Sequence, residues 1–118
     1  MKMKIKMIVF IICLSLMILI AGCSNGTNND PGEYDQFAQC LTEKNVVMYG
    51  TEWCSHCKNQ KVMFGNSFQY VDYIDCDKNK NECVNAGVEG YPTWKINGKN
   101  YPGEQSLNKL SSLTGCKL

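Results

Sequence analysis

The chain has 118 residues, a formal charge of +1, twelve Lys and no Arg, and eight cysteines. That length leaves room for one small domain and excludes an enzyme with a separate cofactor-binding domain. Three of the lysines fall within the first six residues. Beyond residue 22, nine Lys face eleven acidic residues, which excludes a basic, Arg-lined face for nucleic acid.

Lys2, Lys4 and Lys6 precede Met7–Ile20, an apolar run broken only by Cys13 and Ser15. Charge followed by a run shorter than the ~20 residues of a membrane span predicts an export signal over residues 1–22. It ends at Ile20-Ala21-Gly22-Cys23, which resembles a bacterial lipobox, so Cys23 is the expected lipid acceptor. More than one acyl chain there would anchor the protein stably to a membrane. The polar stretch Ser24–Gly32 reads as a flexible tether, making 23–32 the lipidated link and 33–118 the folding domain. Export predicts an extracytoplasmic site, periplasmic or on the outer face of the cell membrane, where disulfides persist. Cys40, Cys54, Cys57, Cys76, Cys83 and Cys116 remain for the domain, and six cysteines can pair in 15 ways.

Residues 33–44 place Phe37, Cys40 and Leu41 on one helical face, and Val46–Tyr49 reads as a buried strand. Trp53-Cys54-Ser55-His56-Cys57 opens a second helix, and Phe68–Asp75 reads as a second strand. Lys78–Ala86 forms a short helix stopped at Gly87. Tyr91-Pro92 introduces the strand Thr93–Ile96, and Asn97-Gly98 turns it back through Lys99–Tyr101. Gln105–Thr114 aligns Leu107, Leu110 and Leu113 on a last helix ended by Gly115. The order is α-β-α-β-α-β-β-α. A strand leading into Cys-x-x-Cys at a helix start is a thioredoxin-like redox signature.

Disulfide exchange needs an accessible sulfur with thiolate character and a second thiol held to resolve the intermediate. Cys54 meets the first demand, since unpaired N–H groups and the helix dipole favour an anion at a helix N-terminus. Cys57, one turn on and facing inward, meets the second. His56, the only histidine, is expected to favour the Cys54 thiolate as a cation or N–H donor; its alternative is an exposed filler. A zinc half-site at Cys54–Cys57 would need Cys76 and Cys83, whose spacing fits poorly, and Lys58 after Cys57 excludes haem attachment. No metal or cofactor is expected.

Leu41-Thr42-Glu43-Lys44 through Met48-Tyr49-Gly50, then Trp53–Lys61, Gly90-Tyr91-Pro92-Thr93-Trp94 and Tyr101–Cys116 carry a resemblance across residues 33–116. They resemble the thioredoxin-like domain fused to bacterial and plant homologues of vitamin K epoxide reductase. The resemblance implies a three-layer α/β/α fold, with a central four-stranded mixed sheet, flanking helices and an extra N-terminal helix. It also implies a thiol–disulfide oxidoreductase that takes electrons from client proteins with reduced cysteines and passes them to a quinone-linked membrane partner; the protein itself is expected to be a monomer. The chain departs from the fused form with its four-helix membrane domain, so the expected partner is a separate protein resembling vitamin K epoxide reductase, or a different one.

By the same resemblance, Pro92 is a cis-proline facing the active disulfide, which would leave the Tyr91 backbone to pair with a client strand. Trp53 would offer a substrate surface, whereas Trp94 reads as core. Met48 stands where reducing thioredoxins carry a buried Asp, which suits an oxidant but is equally a routine core residue. Cysteines in the resembled domain imply a structural Cys76–Cys83 pair, with an electron relay as the alternative, and leave Cys40 to pair with Cys116. The rival functions are a reductase of the same fold and a lipoprotein that binds metal or senses redox state.

Overall fold

A computed structural model describes residues 30–118 of the chain. The expected signal over 1–22 and the lipid acceptor Cys23 lie outside the described residues. The elements are α1 (Asp35–Glu43), β1 (Val47–Gly50), α2 (Ser55–Phe64), a 3-10 segment (Gly65–Tyr70), β2 (Asp72–Asp75), α3 (Lys80–Asn85), β3 (Thr93–Ile96), β4 (Lys99–Pro102) and α4 (Leu107–Thr114). Among the described residues, no helix is long and apolar enough to cross a membrane.

The four strands form one mixed sheet in the order β2-β1-β3-β4. β1 runs parallel to β2, with Met48 opposite Tyr73, and antiparallel to β3, with Met48 opposite Trp94. β3 and β4 form a hairpin whose turn residues Asn97 and Gly98 both take positive φ (50° and 76°), as a two-residue turn between twisted strands requires. β1 is central, and successive side chains leave opposite faces of it. Met48 joins the main core with Phe37 and Leu41 of α1, Cys57 and Phe64 of α2, Trp94 of β3 and Leu110 of α4. Tyr49 joins a smaller cluster on the other face with Cys76 and Cys83, beneath α3. Helices on both faces of a mixed four-stranded sheet make this a thioredoxin-like α/β fold, with α1 as the additional N-terminal helix.

Aromatic rings carry much of the main core. Phe64, the last residue of α2, stacks on Phe37 and Trp94 with ring centroids 6.0 and 5.9 Å apart, and meets Phe68 edge-on at 6.0 Å. Offset and edge contacts of this kind add about 0.5–1.5 kcal/mol each beyond the area they bury.

One expected element differs. Phe68–Asp75 is not a continuous strand: Phe68–Tyr70 belong to the 3-10 segment, and β2 begins at Asp72. The cause is tertiary. Ser67 Oγ accepts the Tyr34 N–H at 2.9 Å, and Thr42 Oγ1 donates to the Tyr70 carbonyl at 2.6 Å, so the segment docks on α1 and its approach.

Candidate functional site

β1 ends at Gly50, and the chain turns through Thr51–Trp53 into α2, placing Cys54 as its N-cap (φ −74°, ψ 118°). The Cys54 Sγ accepts the Cys57 N–H at 3.1 Å, a position usually filled by an oxygen. Both cysteines are thiols here; Cys54 keeps 7% of its surface exposed and Cys57 keeps none. Burial first, then the hydrogen bond and charge of Cys54, push the Cys57 thiol up to about 12, against the Thr51 backbone and the Lys61 charge. Reduced Cys57 therefore holds its proton at neutral pH. One sulfur reaches solvent with a donor on it, and the other waits beneath.

His56 makes its hydrogen bond to Glu104 rather than to the sulfur that the sequence assigns to it. Its Nδ1 lies 2.7 Å from Glu104 Oε1, and its side chain is 71% exposed. Asn59 Nδ2 donates to the same oxygen at 3.2 Å, and the two bonds hold Glu104 below the usual carboxylate range. The hydrogen bond recorded at Cys54 Sγ comes from the Cys57 backbone. Gln105, the residue after Glu104, is held in place by Gln60, a fully buried amide on α2. Gln60 Oε1 accepts from Trp94 Nε1 (3.0 Å) and the Gln105 N–H (2.7 Å), while its Nε2 donates to the Gln105 carbonyl (2.9 Å). These bonds tie the loop after β4 to α2.

Trp53 is 66% exposed, and its ring meets Tyr91, 37% exposed, edge to face at 6.1 Å. Asp77 Oδ2 accepts from Trp53 Nε1 at 2.8 Å and steadies the indole. The Tyr91–Pro92 peptide is cis. Pro92 itself is fully buried, with its carbonyl accepting the Gly103 N–H at 2.7 Å, so its ring is not a contact surface. Beside this rim, His56, Asn59, Tyr91, Gly103 and Glu104 line an open cleft of about 580 Å³.

The four outer cysteines are bonded in two pairs. Cys40–Cys116 has Cα atoms 5.8 Å apart, and Cys76–Cys83 has them 5.7 Å apart. Bonded to each other, Cys76 and Cys83 are not available as thiolate ligands, which removes the second half of the zinc alternative. Among the described residues, no group of three or more His, Cys, Asp or Glu could hold a metal ion.

Gly50 escaped sequence reasoning. A Cβ there would lie 2.9 Å from Cys57 Sγ and 3.1 Å from Tyr73 Cε2, closer than packed atoms tolerate. Gly50→Ala is expected to destabilise the reduced protein by about 1–3 kcal/mol, as overpacking does, measured as a lower urea midpoint at unchanged slope. An unaffected midpoint would mean that the space above Cys57 is not tightly filled.

A family model described as Thioredoxin matches residues 27–114. The chain is 39% identical over 90 residues to the thiol-disulfide oxidoreductase LTO1 of Arabidopsis thaliana, covering 69% of this chain and 24% of that protein. It is 31% identical over 86 residues to protein disulfide-isomerase 1 of Dictyostelium discoideum, covering 64% and 24%. It thus spans about a quarter of the length of these relatives. A solved thioredoxin of Fasciola hepatica is 23% identical, with a TM-score of 0.44 over 61% of this chain and 79% of the other.

Proposed function

The chain belongs to the thioredoxin family, and from that premise we propose that it is a protein thiol–disulfide oxidoreductase working through Cys54 and Cys57. The observation that carries this reading is the pairing of an N-cap sulfur that accepts a backbone N–H with a second thiol buried one turn below it. A client thiolate attacks Cys54 of the oxidised pair, and Cys57 leaves as a thiolate. The client's second thiolate then attacks the mixed disulfide and releases Cys54. The protein gains two electrons, and the client gains a disulfide.

We propose that oxidation of client proteins is the working direction. Met48, fully buried in the core, stands where an acid would ease ionisation of the inner thiol, and the Cys57 N–H favours the reduced protein's Cys54 thiolate. Trp53 and Tyr91 would form the client-facing rim, with the Tyr91 backbone pairing to an extended client segment. The N-terminal signal and Cys23 support a lipid-anchored, extracytoplasmic protein whose Cys54–Cys57 pair is reoxidised by a membrane protein resembling vitamin K epoxide reductase.

The deciding experiment is the equilibrium potential of Cys54–Cys57 against glutathione. Because 30 mV corresponds to about 1.4 kcal/mol for this two-electron couple, modest thiolate stabilisation separates oxidant from reductant. The expected value lies well above the roughly −270 mV of thioredoxin. A value at or below it would reverse the direction and make the protein a reductase.

A further inference from the structure

Resolving a mixed disulfide through Cys57 requires the anion of a thiol that burial holds protonated, and the core offers Met48 in place of an acid. A cation stands close by instead. Lys61 lies four residues after Cys57, on the same face of α2. Its side chain is only 25% exposed, and its ammonium is fixed from several sides. Glu52 Oε1 accepts from Nζ at 2.9 Å, and Nζ lies over the rings of Tyr73 (4.1 Å to the centroid) and Phe68 (5.5 Å). The Tyr73 ring edge and Cys57 Sγ converge on the space above Gly50, so the ring that holds the ammonium also walls in the sulfur. Such caging costs side-chain entropy that a free surface lysine would keep.

We infer that Lys61, caged by Glu52, Tyr73 and Phe68, is a positioning residue whose fixed charge stabilises the Cys57 thiolate during exchange. The charged or titratable groups acting on that sulfur are Cys54 at the α2 N-cap and Lys61 on α2, and Tyr73 on β2 faces it while itself feeling Glu52 and Asp75. In the resolving direction Cys57 gives its proton to water and its thiolate attacks Cys54 Sγ. The Cys54–Cys57 bond forms, the Cys54–client bond breaks, and the electron pair leaves on the client sulfur, which regains a proton from water. In the oxidising direction the same thiolate is the leaving group. One charge therefore serves both directions and acts on the rate. It has little effect on the equilibrium potential at neutral pH, where reduced Cys57 is protonated.

This inference rests on Cys54 as attacking sulfur and Cys57 as resolving sulfur, and one experiment separates the two claims. The full reduced chain is mixed with excess dithionitrobenzoate, an aromatic disulfide whose released thiolate absorbs visible light. Attack by Cys54 releases the first thiolate, and resolution by Cys57 releases the second. Lys61→Gln, which keeps an amide donor for Glu52, is expected to slow the second phase at pH 7 and move its pH profile upward, leaving the first phase in place. Each unit of thiol pKa changes the thiolate population ten-fold. The opposing change in nucleophilicity leaves about a three- to four-fold effect on rate, so a three-fold slowing or more is expected. Lys61→Arg, with its charge retained, is expected to resolve within two-fold of the parent. A second phase unmoved in Lys61→Gln, both phases slowed alike, or a folded Lys61→Arg as slow as the Gln variant would overturn the inference. Absence of a second phase in the parent protein would instead overturn the assignment of Cys54 and Cys57.

Discussion

Cys57→Ser will accumulate mixed disulfides with client proteins through Cys54, while Cys54→Ser will lose exchange activity to background. The asymmetry follows from exposure and from the α2 N-terminus. Cys54 retains a solvent-facing edge and accepts the Cys57 N–H, whereas Cys57 has no exposed surface from which to meet a client. Removing Cys57 therefore leaves the first bond-forming step intact and deletes the step that breaks its product. The thiol hydrogen bond to Cys54 Sγ is made by the backbone of residue 57, so Ser at that position keeps it. Non-reducing gels of the full chain, followed by mapping of the trapped sulfur, check the result. Adducts on Cys57 in Cys54→Ser, with none on Cys54 in Cys57→Ser, would show the two roles reversed.

Much of this site was legible because its information is local. Cys54 and Cys57 sit one helical turn apart after a short apolar strand, and Asn97-Gly98 marks a hairpin in two letters. What stayed hidden depends on residues far apart in the chain. Glu104 reaches His56 across 48 positions, and Gln60 reaches Gln105 across 45, with no periodicity to announce either contact. A buried Gln in a helix reads as surface until its hydrogen bonds to Trp94 and Gln105 are seen. The strand expected from Phe68 failed for the same reason: Phe68 and Tyr70 alternate with polar residues, but Ser67 and Thr42 tie that segment to α1 as 3-10 turns. His56 shows the limit of reading by adjacency. Two residues after Cys54 in the motif, it bonds a carboxylate delivered by another loop, and the donor on the sulfur is a backbone N–H that any residue but proline could supply.

Double replacement of Cys40 and Cys116 by Ala is expected to produce the largest loss of stability of any change considered. Their bond closes a loop spanning 76 positions of sequence separation, for which the chain-entropy model gives about 4.5 kcal/mol. A domain of this size has a total stability of only about 5–10 kcal/mol, so the melting temperature should fall by on the order of 20 °C. Cys76–Cys83, separated by 7 positions, is worth about 2.5 kcal/mol by the same model, and its removal should cost correspondingly less. The Cys54–Cys57 potential should barely move on loss of Cys40–Cys116. Cys40 lies near the end of α1 that feeds into β1, and Gly115, next to Cys116, approaches Lys44 at that same end. Cys54 follows the opposite end of β1, four residues or roughly 13 Å away at the rise of a strand. Calorimetry and glutathione titration of the full chain measure the two quantities separately. A large shift in potential at retained stability would mean that the outer pair exchanges electrons with the inner one, and a melting temperature unchanged by the double replacement would mean that the bond does not constrain the unfolded chain.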